Sequence, residues 1–288
     1  MRAWLELARL SNLPTVVTNV LVGAALGGMG RGLDGIPWLA VSAVAAAVIL
    51  FYIGGMAMND VVDRDIDRQQ RPGRPIPSGR ISVRDAAAFT VACFAMGVGL
   101  AALAGPPVLL LSLLLVGAIA MYNRFHKTVA FSVMLMGLCR AMVYIMAAAA
   151  VAWPPDAAAA MTLAVSMTAY IALVSVVARV ETGTTLDGRR WTGLTLLIPA
   201  LAPMAVLRPE TWVWTVVAAI IVTVWLLSTS RHALARPPRL GQAVPAWLAG
   251  ICLLDSLYLA LLDEPALGAV ALGCFIVTTA AHRRILGT

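Results

Sequence analysis

The chain has 288 residues, 61% of them hydrophobic and 12% charged, with a formal net charge of +7. That composition, with a mean hydropathy of +0.88, excludes a water-soluble globular protein and points to an all-α integral membrane protein. Nucleic acid is excluded as a partner: the basic residues gather in short loops between apolar runs, with no basic stripe carrying interleaved aromatics. Loop clustering of this kind is what orients a chain in a bilayer.

Residues 2–12 (RAWLELARLSN) alternate apolar and charged positions at helical spacing. They predict a short interfacial helix with Arg2, Glu6 and Arg9 toward water. No convincing leader cleavage site precedes the next span, so the N-terminal segment is expected to be retained. Ten apolar runs long enough to cross a bilayer follow, at 14–30, 37–58, 84–104, 107–122, 129–152, 158–180, 192–207, 211–229, 244–262 and 265–282. The acid–acid–proline sequence at Asp263, Glu264 and Pro265 predicts a break between the last two.

With the loop at 59–83 in the cytoplasm, the loops at 123–128, 181–191 and 230–243 and both termini fall on that side. The opposite loops then hold only Arg31 and Arg208 among basic residues, beside Asp34, Asp156, Glu210, Asp263 and Glu264. The asymmetry places the charged loops in the cytoplasm, and we place the chain in a bacterial cytoplasmic membrane. The length suits one domain, residues 1–288, built as a helical bundle around a central cavity. Cys93, Cys139, Cys252 and Cys274 all fall inside apolar runs without a C-x-x-C pair, and read as small buried hydrophobes.

The most informative stretch follows the second run: Asn59 to Ile81, NDVVDRDIDRQQRPGRPIPSGRI, with four aspartates, one asparagine and five arginines. If the preceding helix continues through it, Asn59, Asp63 and Asp67 stand at i, i+4 and i+8 on one face, with Asp60 at its edge and Asp65 turned away. Stacked oxygen side chains repel one another unless a cation stands between them. Mg²⁺ takes such oxygens and leaves positions open for phosphate. Arg68, Arg71, Arg74 and Arg80 supply planar donors suited to phosphate groups. The bland alternative is a solvated loop whose charges only set orientation.

The pattern N-D-x-x-D-x-x-x-D followed by R-P-x-R-P-x-P-x-G resembles the first Asp-rich motif of the UbiA superfamily of intramembrane prenyltransferases. Asn59, Asp60, Asp63, Asp67, Arg71, Pro72, Arg74, Pro75 and Gly79 carry the match. Family members are usually described with nine spans, so nine or ten are expected here. The resemblance implies a Mg²⁺-dependent transfer of a prenyl group from an allylic prenyl diphosphate to an acceptor within the bilayer. Asn59, Asp60, Asp63 and Asp67 would then serve the metal. Tyr122 and Lys127, in YNRFHK, match the family's loop Tyr and Lys and imply a phosphate-facing Lys127, although Tyr and Lys are also ordinary interfacial residues.

A second Asp-rich motif is expected after the sixth run, where this chain reads ARVETGTTLDGRR. Only Glu181 is retained as a carboxylate, with Arg179 and Thr182 where acids would stand. Glu181 alone could hold a second metal, Arg179 could pair directly with the diphosphate, or donor activation could be lost. Arg140 lies mid-span, where charge is costly and usually functional, and could bind the diphosphate or a polar acceptor. Asp255, also mid-span, either neutralises Arg140 or positions the acceptor. Asn19 either lines the cavity or hydrogen-bonds between helices. Phe51, Tyr52, Met56 and Met58 could wall an isoprenoid tunnel or simply pack. His126, His232 and His282 read as interfacial residues.

The substrate-binding set is therefore Asn19, Arg68, Arg74, Tyr122, Lys127, Arg140, Arg179 and Asp255, with Asp63, Asp67, Lys127 and Arg140 closest to the chemistry. An aromatic ring and a polyol or sugar-type phosphate both stay open as acceptor. The rival readings are a catalytically inactive scaffold of the same fold and a transporter working through Arg140 and Asp255. A CDP-alcohol phosphotransferase is disfavoured, because Asp187-Gly188-Arg189 lacks the rest of that motif.

Overall fold

The computed structural model describes residues 2–126, 129, 132–180, 192–235 and 238–284. Among these residues the secondary structure is entirely helical. In chain order the helices are α1 (Arg2–Leu7), α2 (Leu13–Gly27), α3 (Trp38–Val62), α4 (Arg64–Gln70), α5 (Val83–Leu103), α6 (Pro106–Phe125), α7 (Ser132–Ala149), α8 (Ala157–Val180), α9 (Thr192–Thr195), α10 (Leu197–Leu201), α11 (Trp212–Leu234), α12 (Leu240–Leu261) and α13 (Pro265–Arg284). Among the described residues, nine helices are long and apolar enough to cross a membrane.

The run expected as a full span at 192–207 is where the count departs. It forms α9, α10 and a 3-10 turn, Ala202–Ala205, in place of one helix. Pro199 and Pro203 each lack the N–H that would continue a helical ladder, and Ser166 on α8 donates its hydroxyl proton to the freed Pro199 carbonyl at 2.5 Å. Fourteen residues of such geometry cover roughly 21–25 Å, short of a bilayer core of about 30 Å. The segment nonetheless runs the height of the bundle. Gly193 packs beside Ser230 and Trp247 at one end, while the Glu210 and Thr211 N–H groups donate to Asp263 at the other. At the first end His282 lies 2.8 Å from Asn12, so α13 finishes where α2 begins. Both ends of the described chain therefore share a face, as nine long helices and one broken traverse require.

The expected break at the Asp263 loop is present. α12 stops at Leu261, α13 starts at Pro265, and Asp263 takes a left-handed φ of 60°. α12 is the axial helix, with every residue from Ala249 to Leu261 buried. By contrast α5, α6 and α13 keep large apolar side chains such as Val91, Leu110 and Ile276 on the outside, which is how a surface facing lipid differs from one facing water.

Small residues set the helix spacing. A Cβ at Gly137 on α7 would lie 2.5 Å from the Thr168 carbonyl oxygen of α8, so only glycine permits that approach. Gly99 on α5 has open space around it. Gly137→Leu should therefore lower stability by about 1–3 kcal/mol, with Gly99→Leu close to wild type, as read from denaturation in mixed micelles.

Candidate active site

The junction between α3 and α4 keeps the helical ladder. Asp63 N–H donates to the Asn59 carbonyl at 2.9 Å, Asp67 N–H to Asp63 at 2.8 Å, and Arg71 N–H to Asp67 at 2.8 Å. Asn59, Asp63 and Asp67 consequently stay on one face although Asp63 ends α3. Asp60, Asp63 and Asp67 are 4%, 6% and 4% exposed, while Asp65 points outward and pairs with the exposed Arg64 and Arg68. Arg68 thus turns away from the patch, against the expectation that it faces phosphate: three residues before Arg71, it falls on the solvated side of α4.

Within the motif, Arg74 reaches Asp60 and Asp67. Past Arg71 the chain folds back in a tight turn, with Arg74 N–H donating to Arg71 and the Ser78 hydroxyl to the Arg74 carbonyl. Gly79 closes the turn at φ 73°, a conformation that favours glycine. Arg74 Nη1 then lies 2.6 Å from Asp67 and 3.4 Å from Asp60. Arg80 serves the scaffold, donating to the Gly73 carbonyl and pairing with Glu6 at 2.8 Å.

Two partners of the patch come from outside the motif. Arg9, expected toward water, turns inward from a left-handed backbone position (φ 45°). Its Nη2 lies 3.1 Å from Asp60 and 3.5 Å from Asn59. His126, expected as an interfacial histidine, places Nε2 at 3.3 Å from Asp63 and Nδ1 at 3.0 Å from the Asn123 carbonyl. These contacts stabilise carboxylates that would be costly to bury unpaired.

Below the patch a cavity of about 220 Å³ opens between α2, α3, α6 and α7. Apolar Val48, Phe51, Leu115, Ile119 and Val143 wall its depth, and Arg9, Asn12, Asn19, Tyr52, Tyr122, Asn123 and Arg140 also face it. Of the aromatic and methionine side chains expected on the wall, Phe51, Tyr52 and Met56 are there and Met58 is not. Tyr52 hydrogen-bonds the Arg9 carbonyl, and the Tyr122 ring lies 5.3 Å from that of His126.

Arg140 and Asp255 do not touch. Arg140 donates to Asn19 Oδ1 at 2.7 Å, and Asn19 Nδ2 donates to Asp255 at 2.8 Å. Tyr144 donates to the same carboxylate at 2.6 Å, and Thr18 donates to it as well. Asp255 is completely buried and stands behind Asn19, away from the cavity wall. Three neighbouring donors thus surround the carboxylate that the sequence offered either as a partner for Arg140 or as a contact to the acceptor. Lys127 and Glu181 lie outside the described residues, as does the Arg179 side chain.

Among the described residues, no three of His, Cys, Asp and Glu converge closely enough to hold a metal ion. Arg74 bridges Asp60 and Asp67 instead. The donor set still suits Mg²⁺, which needs only one or two carboxylates besides phosphate and water. Asn123, beside the patch, also keeps a buried Oδ1 that has no partner among the described residues.

The class is a helical membrane bundle with an apolar cavity lined by Arg9 and Arg140, where Arg9 also pairs with the buried Asp60 of the carboxylate patch. Residues 17–251 match the model of the UbiA prenyltransferase family, and the chain belongs to that family. It is 44% identical over 101 residues to digeranylgeranylglyceryl phosphate synthase of Methanopyrus kandleri, covering 35% of each protein. It is 41% identical over 106 residues to the same enzyme of Ignicoccus hospitalis, covering 37% of this chain and 33% of that one. The alignments thus span about a third of the length of these curated relatives. The fold is similar to a UbiA homolog from Aeropyrum pernix K1, with TM-score 0.68 and 18% identity over 86% of this chain and 97% of that one. It is also similar to a UbiA homolog from Archaeoglobus fulgidus bound to DMAPP and Mg²⁺, with TM-score 0.59 and 16% identity over 90% and 99%. The relatives named here are archaeal, and none of them supports a bacterial membrane.

Arg74→Met should leave Asp67 buried without its cation and lower stability by about 3–5 kcal/mol. Adding Asp67→Asn should recover most of the loss, as measured by a double-mutant cycle of denaturation midpoints.

Proposed function

We propose that this chain transfers a prenyl group from an allylic prenyl diphosphate to an acceptor inside the bilayer, with Mg²⁺ as cofactor. The observation that carries the reading is the patch of Asn59, Asp63 and Asp67, its two carboxylates buried, flanked by Arg74 and by Arg9, which also lines the apolar cavity. Residues 1–288 are read as one unit with this activity, the patch facing the cytoplasm.

Asn59, Asp63 and Asp67 would hold the metal, and Asp60 would keep Arg9 and Arg74 in register beside it. When bound, Mg²⁺ neutralises the charge that builds on the diphosphate as its bond to the prenyl C1 breaks. Arg9 and Arg74 give the leaving group fixed hydrogen-bond donors. Tyr122 lines the cavity from α6, and we assign Lys127 to phosphate. The apolar walls around Phe51, Leu115 and Ile119 keep water from the allylic carbon, so the acceptor captures it in place of hydrolysis. Glu181 serves as a second metal ligand, and Arg179 as the alternative contact to phosphate.

For the acceptor, the relatives' name specifies a product with two geranylgeranyl groups on glyceryl phosphate. We read the acceptor here as a glyceryl-phosphate type, ahead of an aromatic ring.

The test is binding of geranylgeranyl diphosphate by the purified protein, with release of inorganic diphosphate once acceptor is added. Wild type should bind only with Mg²⁺ and lose binding when the metal is chelated. Asp63→Ala and Asp67→Ala should each weaken it by about tenfold or more, the loss of one charged ligand. A matching loss in Glu181→Ala assigns that carboxylate to metal, and its absence leaves Arg179 in the role. Failure of wild type to bind any allylic diphosphate in the presence of Mg²⁺ would sink the reading.

A further inference from the structure

Arg140 is a cation that the carboxylate patch leaves unexplained. α7 begins at Ser132, whose hydroxyl contacts the His126 carbonyl at the level of the patch. Arg140 stands eight residues further on, a distance of about 12 Å along the helix. None of its ion pairs or hydrogen bonds among the described residues reaches Asp60, Asp63 or Asp67.

The guanidinium instead sits in a buried frame. Its Nη1 donates to Asn19 Oδ1, and Asn19 Nδ2 donates to Asp255. Thr18 and Tyr144 complete the carboxylate's set of donors, and Asn19 and Asp255 are both 0% exposed. A carboxamide has an oxygen at one end and N–H groups at the other. Because Asp255 can only accept, it turns the N–H end of Asn19 toward itself and the oxygen toward Arg140. The arginine is thereby aimed without direct contact to an acid. Its other guanidinium nitrogens have no hydrogen-bond partner among the described residues; the Tyr52 ring lies 6.0 Å from Cζ, and Arg140 lines the cavity. A planar cation with unused donors at membrane depth is suited to a bidentate anion.

We propose that Arg140, aimed by Asn19 and Asp255, anchors an anionic group of the acceptor, a phosphate or a carboxylate, so that the site selects anionic acceptors over neutral ones. The proposal rests on the prenyl-transfer reading. It assigns the anion to the acceptor because no hydrogen bond or ion pair of Arg140 among the described residues reaches the patch carboxylates, beside which Arg9 and Arg74 are assigned to the donor's diphosphate. Charge points the same way. A guanidinium without an anion opposes positive charge developing on the prenyl C1 in a shared apolar cavity, and an acceptor anion bound to it removes that opposition.

The test compares wild type, Arg140→Gln, Arg140→Lys and Asp255→Asn in detergent, with thermal melts to verify folding. Each is titrated with geranylgeranyl diphosphate plus Mg²⁺, and separately with two probe pairs. One pair is geranylgeranylglyceryl phosphate and the corresponding dephosphorylated alcohol; the other is 4-hydroxybenzoate and its amide. Wild type should bind the anionic member of one pair about tenfold or more tightly than its neutral counterpart, and which pair responds separates phosphate from carboxylate. Arg140→Gln should bring that preference to about unity while donor binding persists. Arg140→Lys should keep part of the preference, since it retains the charge and loses the planar fork. Asp255→Asn should lower it with the cavity lining unchanged. Two results would overturn the proposal: no anionic preference in wild type, or a loss of donor binding in Arg140→Gln as large as the loss of acceptor binding. Failure of wild type to bind the donor, with the anionic preference intact, would instead count against the prenyl-transfer reading alone.

Discussion

The structure depends on how three carboxylates are held out of water at one end of an apolar bundle. Asp60, Asp63 and Asp67 are almost fully buried, and unpaired charges in such a place would cost more than the helix ends could supply. Arg74 reaches Asp60 and Asp67 from a turn seven residues beyond Asp67, and Arg9 reaches Asp60 from the segment ahead of α2. His126 completes the set from the end of α6. The N-terminal segment, the long polar loop and the α6–α7 junction are thereby tied to one point. That point lies above the cavity and explains why irregular backbone gathers there.

A second polar cluster is built on the opposite principle. Around Asp255 the donors come from neighbouring helices, α2 and α7, and the acceptor from the axial helix α12. Hydrogen bonds between helices are satisfied inside the bundle, where lipid offers no alternative partner. Because Asn19 stands between them, Arg140 and Asp255 do not touch, and only the arginine faces the cavity. The mouth and the wall of the cavity thus carry cations held by two separate devices.

Helix packing makes both devices possible. Close approaches at glycine positions bring α7 against α8 and α2 against α7, and the buried length of α12 gives them a common axis. The broken traverse at 192–205 fits beside this axis because its freed carbonyl at Pro199 finds the Ser166 hydroxyl. A regular helix there would need neither proline nor that contact.

The sequence by itself determined the helical membrane class, most of the spans, the break at Asp263, and the shared face of Asn59, Asp63 and Asp67. All of these follow from hydropathy and from a 3.6-residue period, which act over a few turns of one helix. The motif also marked Arg74, whose turn is local. What lies between helices was decided only in the tertiary structure. Arg9 meets Asp60 across 51 residues, His126 meets Asp63 across 63, and Asn19 meets Asp255 across 236. No periodicity links such positions, and an isolated Arg9 or His126 reads as an ordinary interfacial residue until its neighbouring helix is known. The same reason turned Arg68 outward and withdrew Asp255 behind Asn19, because which helix stands opposite a side chain is a property of the packed bundle.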